Sequence, residues 1–376
     1  MSETTIYLDN AATTKITDNV LEAMLPWLKE GYGNASAIYS LGRKSAIALN
    51  NARAQCAEIL GCDSREILFT SGGTESDNTA VLSAARAAEK TGKRHFITSA
   101  FEHHAILNPM RRLESEGFTV TYLPVYENGI VRPGDLEAAI TPDTSFVSIM
   151  SVNNEIGTIQ PTAGLAAICR ERGITFHTDA VQAIGNIPFN IKEQGIDMLS
   201  LSGHKLHAPK GIGILYVRDG TPLHPLLLGG AQQGGRRAGT EDIASIVGLA
   251  EALRASAEAL PAKTEKLLAF RDRIIAEVSA FPGAKLNGDP HIRIPANVNF
   301  SFPGYESETL ILKLDLAGIA VSGGSACASG SLDPSHVLAA IGCSAREAKG
   351  SLRITMSDLT TDSDVSGFLS ALTALL

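Results

Sequence analysis

Apolar residues follow two different spacings along the first part of the chain. Short apolar runs bounded by Gly, Ser, Asn or Asp are typical of buried strands, whereas apolar residues at every third or fourth position are typical of helices. The runs predict strands over residues 66–70, 95–100, 120–123, 146–151, 174–177, 198–201 and 212–217. The helical spacing predicts helices over residues 20–28, 41–60, 80–88, 108–117 and 165–172, with Gly61 as the C-terminal cap of the second. This alternation indicates an α/β fold with a mostly parallel sheet between helices.

The remainder of the chain has a different order of elements. A helix over residues 242–260 is predicted to end at Pro261, and a second helix follows it to Phe281. After these come two predicted strands and three predicted helices, over residues 297–302 and 351–355 and over residues 307–317, 334–341 and 364–375. We therefore expect two domains, a large one over residues 15–258 and a smaller α+β domain over residues 259–376 together with 1–14.

Composition limits the classes of function that the chain can have. It has 376 residues, 44% of them hydrophobic and 19% charged, which is typical of a soluble globular protein. The net charge of -8 argues against direct binding of nucleic acid or of a membrane surface. The chain starts without a basic region followed by an apolar run, and no stretch reaches the roughly 20 apolar residues that span a bilayer. We expect a cytoplasmic protein without a membrane partner.

Polar side chains follow the predicted strands at their carboxyl ends, where ligands bind in open parallel sheets. Backbone N–H groups of a Gly-rich helix start at residues 71–77 suit a phosphate. A lysine next to apolar strands, as Lys205 is, can condense with a carbonyl compound and is a candidate covalent anchor. The other polar clusters at this edge are Glu102-His103-His104, Asn153-Asn154-Glu155, Asp179 with Gln182, and Ser202-Gly203-His204. Together they predict one pocket.

Cysteine usage singles out one thiol. Five cysteines without metal-type spacing favour reduced thiols over a disulfide framework. Cys327 lies in the stretch of residues 321–334, and its neighbours over residues 322–331 are all Gly, Ser or Ala, so no bulky apolar residue adjoins it. Reactive thiols need such access, so Cys327 is a candidate nucleophile. The other cysteines lie in or next to predicted helices and fit ordinary packing, and no His, Cys or Asp spacing calls for a metal.

Several segments of the chain resemble a known family, the group I cysteine desulfurases of the NifS and IscS type. These are fold type I pyridoxal-phosphate enzymes and are related to the class V aminotransferases. The matching segments occur in family order: Tyr7-Leu-Asp-Asn-Ala-Ala-Thr-Thr, Thr70-Ser-Gly-Gly-Thr-Glu-Ser, Glu102-His, Val152-Asn-Asn-Glu-Ile-Gly, His177-Thr-Asp-Ala-Val-Gln, Ser202-Gly-His-Lys, Arg237-Ala-Gly-Thr, Gly324-Ser-Ala-Cys-Ala-Ser and Ser351-Leu-Arg. The early loop departs from the family pattern, with Asn34-Ala-Ser-Ala-Ile-Tyr where a histidine is common.

The resemblance implies a role for each matching residue. Lys205 would bind pyridoxal 5′-phosphate covalently and then move protons. His103 would stack on the pyridine ring and relay a proton, while Asp179 would face the ring nitrogen. The remaining implied cofactor contacts are Gln182 to the phenolic oxygen, Gly73, Thr74, Ser202 and His204 to the phosphate, Thr240 to the phosphate of a neighbouring subunit, and Asn154. Asn154 and Arg353 would bind the substrate carboxylate, and Cys327 would be the nucleophile. His104 and His207 match no such role and are expected to be ordinary surface or supporting residues.

The function that the resemblance implies is conversion of L-cysteine to L-alanine, with the sulfur leaving as a persulfide on Cys327. The sulfur would go to an acceptor protein in iron–sulfur cluster assembly, thio-cofactor synthesis or tRNA thiolation, and the enzyme would be a homodimer. Another enzyme of the same fold, such as a selenocysteine lyase or an aminotransferase, and a cofactor-free binding protein are the alternatives. Lys205 with Asp179 disfavours the binding protein, and Cys327 disfavours the aminotransferase. Because only 23 residues follow Arg353, weak or absent docking of an Isc-type scaffold at the C-terminal tail is expected.

Overall fold

The computed structural model describes residues 5–323 and 335–376, so that Cys327 lies outside the described residues. The strands are β1 (Ile6–Tyr7), β2 (Ile67–Thr70), β3 (His95–Ser99), β4 (Thr119–Leu123), β5 (Thr144–Ser148), β6 (Thr175–Asp179), β7 (Met198–Ser202), β8 (Gly213–Val217), β9 (Lys285–Leu286), β10 (Asn297–Ser301), β11 (Ile319–Ala320) and β12 (Ser351–Thr355). The helices are α1 (Asp18–Lys29), α2 (Ser40–Leu60), α3 (Gly73–Thr91), α4 (His104–Ser115), α5 (Pro133–Ala139), α6 (Thr162–Glu171), α7 (Ile191–Gln194), α8 (Ile243–Ser279), α9 (Ser307–Leu316), α10 (His336–Ala340), α11 (Ala345–Lys349) and α12 (Asp362–Leu375).

A seven-stranded sheet carries the site, with the strand order β2-β8-β7-β6-β5-β3-β4. The pairs from β7 to β4 are all parallel, and β8 is antiparallel to both of its neighbours. The predicted α/β fold with a mostly parallel sheet is therefore confirmed. Burial explains why these segments read as continuous apolar runs, because every residue of β2, β3, β7 and β8 is buried.

Helices cover both faces of this sheet. On one face α3 and α4 pack through Val81, Ile106 and Met110 against buried strand residues such as Phe96 and Phe146. On the other face α2, α6 and α8 contribute to a larger apolar cluster that continues into the C-terminal elements. Gly61 ends α2 at φ +71°, as predicted from the sequence. The carboxyl ends of the strands stay uncovered by this packing and lead into the loops that carry polar side chains.

Smaller sheets tie the first residues of the chain to its last part. β10 pairs antiparallel with β12 and with β9, whereas β1 pairs in parallel with β11. Beyond β1, the backbone of Asp9 bridges to Thr355 at the end of β12. Residues 7–14, which we call the N-terminal strap, therefore lie against elements from the far end of the chain.

The predicted helix break at Pro261 is wrong, because α8 runs without interruption from Ile243 to Ser279 and contains Pro261. A proline inside a helix leaves the carbonyl four residues earlier without its hydrogen bond, at a cost of about 3 kcal/mol. Here Pro261 and Ala257 both lie on an exposed face, so that water can satisfy this carbonyl. Burial of Ile246, Leu249 and other apolar residues of α8 offsets the cost. The domain boundary between residues 258 and 259 stays a prediction, and α8 passes through it.

Candidate active site

A cavity of about 360 Å³ lies beyond the carboxyl ends of the central strands. With the exception of Thr240 and Cys327, every residue predicted for the site lines it: Gly73, Thr74, His103, Asn154, Asp179, Gln182, Ser202, His204, Lys205 and Arg353. Thr240 is exposed and belongs to the segment before α8. Its predicted contact is with a neighbouring subunit, and this stays a prediction. The sheet edge has thus brought together polar clusters that the sequence places after separate strands.

Lys205 follows β7 on a single 3-10 turn, Gly203–Lys205. Its Nζ atom donates hydrogen bonds to the backbone oxygens of Ala11, at 2.5 Å, and Ala12, at 2.7 Å. The hydroxyl of Tyr7 donates to the carbonyl of Thr13, 2.8 Å away, and so helps to fix the strap that supplies these oxygens. Ala11 and Ala12 of the N-terminal strap also line the cavity.

Small residues open the first turn of α3 to the cavity. Gly72, at φ +144°, has a backbone conformation that other residues rarely adopt, and a Cβ atom on Gly73 would stand 2.8 Å from Cγ2 of Val181. The first N–H groups of any helix lack intrahelical acceptors and lie at the positive end of its dipole. Thr74 is in this turn, and Ser202 lines the same cavity. This end of the cavity therefore suits a phosphate group.

Asp179 lies at the carboxyl end of β6, in the interior of the protein. Burial raises the pKa of this carboxyl to about 6, while a hydrogen bond from the Val181 N–H, 2.9 Å long, and the charge of Lys205 oppose the rise. Asp77 lines the cavity close by, and burial together with the charge of Asp179 raises the pKa of Asp77 well above its ordinary value. A cationic group in the cavity would stabilise the ionised form of Asp179, since the opposite charge offsets the desolvation.

His103 is the N-cap residue of α4, and its Nδ1 atom accepts a hydrogen bond from the Ala105 N–H, 3.1 Å away. Burial, with a smaller contribution from the positive charge of Lys205, lowers the pKa of His103 to about 4. The imidazole is therefore neutral at pH 7. Because Nδ1 is the acceptor, Nε2 carries the proton. A neutral ring with one N–H donor can stack on an aromatic group and exchange a proton.

Two further histidines line the cavity. The rings of His104 and His336 are 4.7 Å apart, and Nε2 of His336 is 2.9 Å from the backbone oxygen of Glu102. His104 was expected to be an ordinary surface or supporting residue; it lines the cavity, and its role stays a prediction. Its position after a strand was a usable signal, but His336 follows no strand of the large sheet. His207 does not line this cavity and instead pairs with Asp358 at 3.0 Å.

Arg353 is a strand residue of β12, and its side chain is 1% exposed. Nη2 donates to Oδ1 of Asp9 at 2.7 Å, and Nη1 donates to the backbone oxygen of Asn154 at 3.2 Å. Nε is buried and has no hydrogen-bond partner among residues 5–323 and 335–376. Glu155 lies beside this group, and burial raises its pKa to about 7. Arg353 lines the cavity, and its two hydrogen bonds leave further N–H groups of the guanidinium, so it is suited to bind a carboxylate.

The two segments that flank residues 324–334 both contact this part of the site. The backbone of Ser322 pairs with that of Arg353 through two hydrogen bonds, and the hydroxyl of Ser335 donates to Oε2 of Glu155 at 2.5 Å. The predicted nucleophile Cys327 lies between these anchors in sequence, although it is outside the described residues. The four described cysteines, Cys56, Cys62, Cys169 and Cys343, form no disulfide.

The profile of the family Aminotransferase class-V matches residues 6–368. A protein named cysteine desulfurase IscS, from Dictyoglomus turgidum, is 48% identical over 372 residues, which are 99% of this chain and 94% of the relative. This chain belongs to the class-V aminotransferases, among the cysteine desulfurases. A solved structure described as a NifS-like protein superposes with a TM-score of 0.93 at 37% identity and covers 99% of this chain and 100% of its own. Another, described as SspA in complex with cysteine, has a TM-score of 0.82 at 38% identity over 94% and 99% of the two chains.

Cysteine desulfurases are pyridoxal 5′-phosphate enzymes, and the cavity of this one fits the cofactor. The open first turn of α3 matches a phosphate, the buried carboxyl of Asp179 matches a protonated ring nitrogen, and Lys205 matches a carbonyl carbon. Within the described parts of the chain, no group of three or more His, Cys, Asp or Glu side chains is placed to hold a metal ion. No helix in these parts is long and apolar enough to cross a membrane.

Proposed function

We propose that this cysteine desulfurase converts L-cysteine to L-alanine and leaves the sulfur as a persulfide on Cys327, from which an acceptor protein takes it. This proposal rests on one observation. Lys205, Asp179, His103 and Arg353 line one cavity in a chain that is 48% identical to a protein named cysteine desulfurase IscS. The SspA structure was solved with cysteine, which supports the same amino acid as substrate here.

Substrate binding falls to Arg353 and Asn154. The guanidinium of Arg353 has five N–H groups, and its bonds to Asp9 and to the backbone of Asn154 use two of them in the described structure. A carboxylate that accepts from the remaining N–H groups gains charge-assisted hydrogen bonds, which are stronger in a buried site than in bulk water. Asn154 supports the arrangement through its backbone oxygen, and its side chain is our candidate for a second contact. Binding at this end orients the α-carbon of the amino acid towards Lys205.

Proton transfer is assigned to Lys205 and His103. When bound, pyridoxal 5′-phosphate supplies the carbonyl carbon that takes the substrate amine and the ring that withdraws electrons from the α-carbon. Asp179 would hold the proton on the ring nitrogen, and Gln182 would bind the phenolic oxygen. The phosphate would be held by Gly73, Thr74, Ser202 and His204. Nζ of Lys205, held by the carbonyls of the N-terminal strap, moves protons at the substrate carbon. Nε2 of His103 is the second proton donor, because its ring stays neutral at pH 7.

Sulfur transfer is assigned to Cys327 because the other thiols are poor nucleophiles. Burial raises the pKa of Cys56, Cys62 and Cys169 to about 12, and it raises the pKa of Cys343 as well. Such thiols stay protonated at neutral pH. In the proposed step, a sulfur–sulfur bond forms between Cys327 and the substrate as the substrate carbon–sulfur bond breaks. The electron pair of that bond stays with the carbon, which takes up a proton to complete the methyl group of alanine.

Thr240 is our candidate for a contact with the phosphate of a second subunit, which makes the active unit a homodimer. The sulfur acceptor is a protein of an iron–sulfur, thio-cofactor or tRNA-thiolation pathway. The acceptor would be recognised by a surface of this protein that lies outside the cavity.

Mass spectrometry of the holoenzyme after incubation with L-cysteine tests the proposal. The peptide that contains Cys327 should gain one sulfur atom, and Cys327→Ala should retain the cofactor but form no persulfide and little alanine. Cys62→Ala and Cys343→Ala are the matched controls, because both side chains are half-buried thiols, and both variants should keep the activity. An added sulfur found only on another cysteine would reject the assignment.

A further inference from the structure

Asp9 is the ion-pair partner of the proposed substrate-binding arginine. Its Oδ1 atom is 2.7 Å from Nη2 of Arg353, and the two side chains are 17% and 1% exposed. A buried guanidinium without a counter-ion is costly, so this pair is required for Arg353 to occupy its position. Burial also gives the contact a fixed geometry, since little water is present to compete for either group.

The backbone around Asp9 is held on both sides by β12, the strand that carries Arg353. Thr355 donates its N–H to the oxygen of Leu8 at 2.7 Å. The side chain of Asn10 donates back to the oxygen of Thr355 at 2.8 Å, and the N–H of Ala11 donates to Oγ1 of Thr355 at 2.9 Å. Asp9 therefore cannot move independently of β12, and its carboxylate acts as a fixed acceptor beside the guanidinium.

The hydrogen bonds to Asp9 and to Asn154 use two of the five N–H groups of Arg353 and leave the others for a ligand. Nη2 is bound by Asp9 and Nη1 by the oxygen of Asn154, whereas Nε has no partner in the described parts of the chain. A planar guanidinium that is held at both terminal nitrogens has a fixed orientation, so its remaining N–H groups point in fixed directions. The same strap accepts from Lys205 through Ala11 and Ala12. One short segment thus contacts both the substrate-binding arginine and the reactive lysine.

We propose that Asp9 is a positioning residue for the substrate, which fixes the guanidinium of Arg353 so that it binds the carboxylate of an α-amino acid. This inference rests on the proposed function, because it takes Arg353 as the carboxylate site. Asp9 itself contacts no substrate atom in the proposal. A different role would be simple neutralisation of Arg353, in which Asp9 competes with the substrate carboxylate.

The two roles make opposite predictions for Asp9→Ala. If Asp9 positions Arg353, the dissociation constant for L-alanine, measured from the change in absorption of the bound cofactor, rises about tenfold or more. The constant for ethylamine, which lacks the carboxylate, changes less than about twofold, because no bond to Arg353 is lost. Asp9→Asn keeps an acceptor oxygen and should restore most of the native affinity. Tighter L-alanine binding by Asp9→Ala would establish competition and overturn the proposal, and so would equal weakening of both ligands.

Asp18→Ala is a matched control, since Asp18 is an exposed aspartate at the start of α1, and it should leave both constants unchanged. With L-cysteine, Asp9→Ala should raise KM by the same factor as the L-alanine constant and change kcat less. If the native protein bound L-alanine but did not desulfurate cysteine, the proposed function would fail while the inference on Asp9 would still be tested by the two binding constants. If Asp9→Ala does not fold, the comparison of Asp9→Asn with the native protein decides: an L-alanine constant equal to or moderately above the native value supports positioning, and a smaller constant would overturn it.

Discussion

Replacement of Glu102 by Gln tests the electrostatics of a buried carboxyl group next to His103. Glu102 is fully buried, and its two carboxyl oxygens lie 3.0 and 3.1 Å from the backbone nitrogen of Met150, which follows β5. The hydroxyl of Ser99 also bonds to this carboxyl group. Burial raises the pKa of Glu102 from 4.5 to about 8, and the bonds from Ser99 and Met150 oppose the rise. The side chain is therefore mostly protonated at neutral pH, and a glutamine of the same shape can replace it.

The sign of the pH effect follows from the raised pKa. The folded protein binds the proton of Glu102 more tightly than the unfolded chain does, so stability falls as the pH rises through the interval from about 4.5 to about 8. Between pH 6 and pH 8, release of this one proton lowers the free energy of unfolding by about 2 kcal/mol. Asp77, Asp179 and Glu155 also have raised pKa values and add slopes of the same sign. The contribution of Glu155 cancels when the native protein is compared with Glu102→Gln, whereas Asp77 and Asp179 interact electrostatically with Glu102, so the difference in slope includes this interaction.

Denaturant unfolding of the holoenzyme at pH 6, 7 and 8 provides the measurement. The native protein should lose about 2 kcal/mol more stability over this range than Glu102→Gln does. Glu137→Gln, a change at an exposed residue of α5, should behave like the native protein. If Glu102→Gln and the native protein keep the same slope, Glu102 does not titrate in this interval, and the reasoning from its burial is wrong.

Three further predictions concern the cofactor. Lys205→Ala should lose the visible absorption of the bound cofactor together with turnover, and retained turnover would contradict its role as covalent anchor. Gly73→Ala should weaken cofactor binding about fivefold or more, because the new methyl group would stand 2.8 Å from Val181 Cγ2; Gly164→Ala, where no atom lies within 4 Å, should leave it unchanged in an equilibrium titration. Thr240→Ala should weaken cofactor binding in a protein that light scattering shows to be a dimer, and a fully active monomer would exclude the shared phosphate site.

The large sheet could be predicted from the sequence because its strands are buried on both faces and therefore appear as unbroken apolar runs. The position of the site followed from the same pattern, since parallel strands place their carboxyl ends at one edge. The two-residue strands β1, β9 and β11 could not be predicted, because two residues show no periodicity. The predicted helix break at Pro261 was wrong for a different reason. Its cost depends on whether the affected carbonyl meets water, and this is a property of the folded surface.

The roles of the N-terminal strap show where inference from residue types ends. Asp9 and Arg353 are 344 positions apart, and no spacing within either segment indicates that they form a pair. The resemblance drew attention to the motif that contains Asp9 and to Arg353 separately, but an ion pair between them depends on the path of the backbone. The contacts of the strap with Lys205 are harder still to foresee, because Ala11 and Ala12 act through their carbonyl oxygens. Every residue type supplies such an oxygen. Substitution of these alanines therefore cannot test the contact directly. The side chain of Asp9 can be changed, so the contribution of the N-terminal strap to the site can be tested by substitution of Asp9.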